Sequence, residues 1–187
     1  MKFFGEEQTI FEEIREWSKY TLETKSKDGF FACPFAKTSW DLNRVGVVFK
    51  HDAHKQCLYT ALSEFNNETD VVVIVDLNYE DVTTFHQYLE SLNDAISQGI
   101  FIQKDLWVMG FHPDDDANES IDDGKFDAKT DVSYAMIFIQ RLTKVQLAAH
   151  KLKLTDYYVK YFEEKVPDVV FGYRESFYRR LLDEQHD

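Results

Sequence analysis

A chain of 187 residues with 44% apolar residues, among them 16 Phe, 10 Tyr and 3 Trp, can bury a sizeable core, which excludes a disordered tail. Its net charge of −13, from 21 Lys and Arg against 34 Asp and Glu, repels nucleic-acid phosphates and anionic membranes, so neither is an expected partner. Two cysteines, Cys33 and Cys57, make no disulfide framework, and no apolar run reaches about twenty residues.

The N-terminus turns acidic after five residues, so no secretory leader is expected and the setting reads as reducing and cytoplasmic. Gln8 to Thr24 has the helical period, with Ile10, Ile14, Trp17 and Leu22 on one stripe. The charged stretch ending at Gly29 closes it, and FFACPFAKTSW, Phe30 to Trp40, reads as an extended loop. Val45 to Phe49 is a β-branched strand, and His51 to Phe65 a helix with Cys57, Leu58, Ala61, Leu62 and Phe65 on one face. Asp70 to Leu77 holds five β-branched residues in a row, the pattern of a central strand covered on both faces.

A helix over Glu80 to Ser97 follows, ended by Gly99, and then a third strand over Ile100 to Phe111. His112 to Asp131 is acidic and aperiodic, a length at which loops are functional or disordered. Ser133 to Leu142 reads as a fourth strand, with a helix starting at Thr143. The last segment, 153–187, reads as a helical extension broken near Pro167 and Gly172. The expected fold is therefore α+β, a mixed α/β layer: a sheet of about four strands packed with helices, an N-terminal helix and a C-terminal helical extension. One domain spans 1–187, with its core over about 8–152.

Chemistry concentrates at four places. Pro34 biases Cys33 to an extended backbone, and Lys37 four residues on would lower a thiol pKa if it approached; the alternative is a small buried residue. His112 sits where a strand ends and the acidic loop begins, the usual place for ligands in layered α/β folds. With Asp114 and Asp116 it offers nitrogen and oxygen donors to a divalent metal, although the spacing fails the EF-hand pattern at the positions of Glu119 and Lys125. His51, His54 and Cys57 fall at i, i+3 and i+6 of a helix without an evident fourth ligand. Arg141 ends the fourth strand, where a guanidinium can hold an anionic group, or pair with surface carboxylates. No phosphate loop, dinucleotide fingerprint or nucleophile elbow is present.

Trp17, the run Cys33-Pro34-Phe35-Ala36, the run Phe111-His112-Pro113, and the segment with Tyr134, Met136 and Arg141 occur in a telling order. Over roughly Phe11 to His150 the chain resembles the bacterial family catalogued as domain of unknown function 1415. It departs from that pattern at Phe138, where the family has a histidine, at Leu142, where an acidic residue is usual, and at two replaced prolines. The resemblance implies that Cys33, His112 and Arg141 converge on one pocket; by residue type His112 would there be general base or hydrogen-bond donor, Cys33 nucleophile or wall, and Arg141 the holder of an anion. It does not say whether the chain is an enzyme or a binding domain. Two other readings stand beside it: an acidic protein that binds a basic protein partner, and a divalent-metal protein built on His112, Asp114 and Asp116.

Overall fold

The computed structural model describes residues 4–25, 29–52, 55–101, 104–115, 132–161 and 165–184. Its centre is a four-stranded mixed sheet in the order β1-β2-β4-β3. The strands are β1 (Val45–Lys50), β2 (Val71–Asp76), β3 (Trp107–Phe111) and β4 (Ala135–Gln140). β1 and β2 run parallel, joined through helix α3 (Gln56–Glu64). β4 is antiparallel to both β2 and β3, so β3 runs the same way as β1 and β2. The expected α+β architecture and sheet size are those of the molecule.

The strand period assigns the faces. Val48, Val72, Ile74, Val108, Ile137 and Ile139 pack against α3 and against α4 (Val82–Ser97). On α4, Phe85, Leu89, Leu92 and Ile96 repeat at helical spacing and all point into this core. Gly110 lies on the same face, where a Cβ would stand on the rings and methyls of Phe85 and Leu89, so only glycine lets α4 come this close. Asp81 caps α4 by accepting the backbone N–H groups of Thr83 and Thr84 at 3.1 Å each.

The opposite face carries Val47, Val73, Val75, Met136 and Phe138, covered by α1 (Glu6–Trp17) through Ile10, Ile14 and Trp17. The helix then widens into a π-helical turn, Ser18–Leu22. Toward β3 the cover changes to the C-terminal helices, where Trp107 packs with Leu142, Phe177 and Leu181. These helices are α5 (Leu142–Lys153), α6 (Tyr157–Tyr161) and α7, which runs Lys165–Asp168, passes through a π-helical turn at Val169–Tyr173 and continues over Arg174–Glu184.

Five boundaries differ from the sequence expectation. The helix expected from His51 begins only at Gln56, so His51 does not share a helix with Cys57. Residues 30–40 are not wholly extended: Ala36–Asp41 form the short helix α2 after the Cys33-Pro34 turn. β3 begins only at Trp107. Leu142 opens α5 instead of closing β4. The break expected near Pro167 and Gly172 is absent: Pro167 lies in the helical run Lys165–Asp168, which passes directly into the π-helical turn that takes up Gly172. The acidic stretch beyond Asp115 lies outside the described residues up to Asp131. No helix among the described residues is long and apolar enough to cross a membrane.

Candidate functional site

Between the two helical covers of the second sheet face lies a cavity of about 460 Å³, within the range of about 300–1,000 Å³ usual for small-molecule sites. Its floor is the sheet: Val45 of β1, Val71 and Val73 of β2, and Phe138 and Gln140 of β4. One wall is the end of α1 with Trp17, Ser18 and Leu22. Trp17 stacks on Phe138 with ring centroids 6.3 Å apart and planes 17° apart, and tilts against Phe111 at 5.6 Å. The facing wall is α5, whose Lys144, Leu147, Ala148 and Lys151 share one helical face at spacings of three and four.

The Cys33 loop closes the top. The Cys33 N–H donates to Leu22 O at 3.1 Å, and an isolated bridge joins Lys25 to Phe31, so the loop is tied to the end of the π-helical turn. Cys33, Phe35 and Ala36 thereby line the cavity. Burial pushes the Cys33 thiol up, and the nearby Glu23 carboxylate adds to this; the backbone N–H groups of Phe35 and Ala36 act in the opposite sense without overcoming it. Lys37 does not supply the activating charge, since its ammonium pairs with Asp41 at 3.0 Å. A thiol held neutral in this way is a poor nucleophile. Its place in the structure is the wall.

Four polar side chains of the cavity, Ser18, Trp40, Ser39 and Asp70, are held in hydrogen bonds. Ser18 Oγ accepts the Trp40 indole N–H at 2.9 Å and donates to Glu23 at 2.9 Å. Ser39 donates to Asp70 at 3.1 Å. The rim is cationic. Arg44, Arg141, Lys144 and Lys151 line it with Asp70 as the one carboxylate among the lining residues. Lys144 pairs with Asp70 at 2.6 Å and Arg44 approaches it at 3.7 Å. Burial works against the Asp70 charge, but the bonds from Lys144 and Ser39 and the nearby Arg44 outweigh it and hold the carboxyl below its ordinary range. Arg141 donates to the side-chain oxygen of Asn67 at 2.9 Å, and its guanidinium carbon lies 4.9 Å from the centre of the Phe65 ring.

His112 is elsewhere. Phe111 pairs with Met136 and Trp107 with Gln140, so the end of β3 meets the start of β4. His112 and Arg141 therefore leave the sheet at opposite ends, separated by a strand length of roughly 17 Å at about 3.4 Å per residue. His112 is 1% exposed and packs edge-on against Tyr79 and Phe85 at 4.8 and 5.4 Å between centroids. Its Nε2 lies 2.8 Å from Glu80 O and its Nδ1 accepts the Asp114 N–H at 3.2 Å. The first contact requires a proton on Nε2 and the second a lone pair on Nδ1, so the network assigns a neutral ring with both nitrogens engaged. The structure joins Cys33 and Arg141 on one cavity and sets His112 apart from them.

The same bonds bear on the metal reading. Asp114 contributes its backbone N–H to His112, Asp115 bonds His86 at 2.6 Å, and Asp116 lies outside the described residues, as does His54. Among the described residues no group of three or more His, Cys, Asp or Glu side chains is arranged to hold a metal ion. Cys57 and Cys33 are both free thiols.

Sequence reasoning passed over Arg44, Lys144 and Lys151. A signal for the last two was present: Arg141 to Lys153 carries four Lys or Arg and no carboxylate, in a chain with 34 acidic residues. It also passed over the buried pair at the other end of the parallel strands, where Lys50 donates to Asp76 at 2.6 Å and both are almost fully buried. A lysine ending one strand and an aspartate ending the next gave no warning, because only the parallel register sets them side by side.

Comparison with protein-family models, with curated proteins and with solved structures gives no match for this chain.

Proposed function

We propose that the chain is a small-ligand-binding domain that takes an anionic small molecule into the cavity between α1, the Cys33 loop and α5. The observation that carries this reading is the sign of the rim. In a chain of net charge −13, four cationic side chains and one carboxylate gather around one apolar cavity. Such a local field raises the concentration of anions at the mouth against the prevailing negative potential. Arg141 offers its planar donors to the anionic group, with Lys144 as a point charge beside it. Cys33 belongs to the wall, and no covalent step is assigned to it.

The likeness to the family of unknown function remains part of this proposal. It is supported by the fact that Trp17, Cys33 and Arg141, from three separate stretches, line the same cavity. A cytoplasmic setting suits the two free thiols.

The test is a thermal-shift panel of acetate, phosphate, benzoate and octanoate on the natural protein and on Arg141→Gln. A ligand that binds only the folded state raises the melting temperature. At least one anion should do so, and Arg141→Gln should lose most of the shift. Stabilisation by none of them, or a shift that Arg141→Gln keeps in full, removes the reading.

A further inference from the structure

The cavity divides by chemistry along its depth. At the bottom lie Trp17, Val73 and Phe138, a surface of ring faces and methyl groups. The polar atoms near them are spoken for, since the Trp40 N–H, Ser18 and Glu23 form a closed set and Ser39 is bonded to Asp70. A polar ligand group placed there would lose its water and find no partner, a cost of about 1–3 kcal/mol per group. The cationic groups stand at the mouth, where Lys144 and Lys151 are exposed two turns apart on α5 and Leu147, on the turn between them, is half exposed. Four cations line the rim beside one carboxylate, Asp70.

Resting on the anion-binding reading above, we propose that the ligand is an amphiphile: a single apolar chain lying on Trp17 and Phe138, ending in a carboxylate held at the mouth by Arg141, Lys144 and Lys151. A compact hydrophilic anion would use the rim and leave the apolar floor wet. A neutral apolar molecule would fill the floor and make no use of the cations at the rim. A free medium-chain fatty carboxylate meets both halves. The cavity, at about 460 Å³, admits one such chain and not a two-chain lipid anchored in a bilayer.

The experiment is calorimetric titration of the full chain with octanoate, decanoate and dodecanoate, with 1-decanol, and with inorganic phosphate. Decanoate and 1-decanol are repeated on the double variant Lys144→Gln/Lys151→Gln, in which both altered residues are exposed helix positions, so folding is retained. Affinity should rise about threefold to fourfold per added methylene, the fold-change expected for burying one CH₂. The double variant should bind decanoate about tenfold more weakly and 1-decanol unchanged. Phosphate or octanoate binding as tightly as dodecanoate would overturn the amphiphile and leave the anion site standing. Equal binding of decanoate by the natural protein and the double variant would overturn the carboxylate head. Binding by none of the five probes would overturn this proposal and the anion-binding reading together.

Discussion

His112 and Arg141 depart from opposite ends of the sheet, because the antiparallel pairing of β3 with β4 sets Phe111 against Met136 and Trp107 against Gln140. Two residues that each end a strand therefore belong to different surroundings. Arg141 reaches a cavity rim, and His112 is buried between Tyr79 and Phe85.

Replacing His112 by alanine should accordingly cost stability and spare anion binding. The change removes two hydrogen bonds of a buried ring, orphans Glu80 O and the Asp114 N–H, and leaves a cavity beside Phe85. The expected loss is roughly 2–4 kcal/mol, from packing together with the unpaired groups. Urea unfolding and the anion titration, run on the same preparation, check it. A variant of natural stability that no longer binds anions would place His112 in the site after all.

Asn93 should be as sensitive. Among the described residues β3 is an edge strand, and the outward N–H and C=O of Val108 meet no neighbouring strand there. The Asn93 amide supplies both, accepting the Val108 N–H at 2.8 Å and donating to Val108 O at 2.9 Å. This contact both pins α4 to the sheet and blunts the edge against pairing with another chain. Asn93→Leu fills similar space but satisfies neither group, so it should lose about 2–4 kcal/mol. Hydrogen exchange at the Val108 amide should accelerate more than at Ile139 on the inner strand. Equal protection of both amides in the variant would speak against this role.

Alkali should destabilise the protein. Cys33, Tyr88 and Tyr134 are all pushed up by burial, Tyr134 further by Glu13, and Tyr173 is pushed up to about 12 by burial with Asp94 and Glu90. These groups keep their protons to higher pH when folded than when unfolded. Their contribution is complete below the ordinary thiol and phenol range of about 8.5–10 and falls as pH rises through it, because the unfolded chain then releases protons first. The urea midpoint should fall steadily from pH 8 to pH 11. Over the same preparation at pH 7.5, alkylation of Cys33 by iodoacetamide should lag behind that of a free cysteine and speed up with added base. A midpoint flat to pH 11, or rapid alkylation of Cys33 at neutral pH, would contradict the assignment.

Much of the architecture was legible in the sequence because periodicity is a local property. Ile10, Ile14 and Trp17 announce one helical stripe, and the run Val71 to Val75 announces a strand buried on both faces, as β2 is through Ile74 on one side and Val73 and Val75 on the other. Where packing overrode local preference, the reading slipped. Residues 36–41 close into α2 beside the cavity, and Pro167 lies within a helical run, Lys165–Asp168.

For the site, composition pointed to Cys33 and Arg141, and their meeting on one cavity depends on the loop tied to Leu22 and on the direction of β4. The separation of His112 from them, the pairing of Lys50 with Asp76, and the gathering of Arg44 and Lys144 around Asp70 came only from tertiary structure. Residue types and their spacing along the chain determined which elements form and which faces are apolar. Strand order and direction decided which chemical groups share a space, since the side chains that meet come from residues far apart in sequence and are brought together by the register of the sheet.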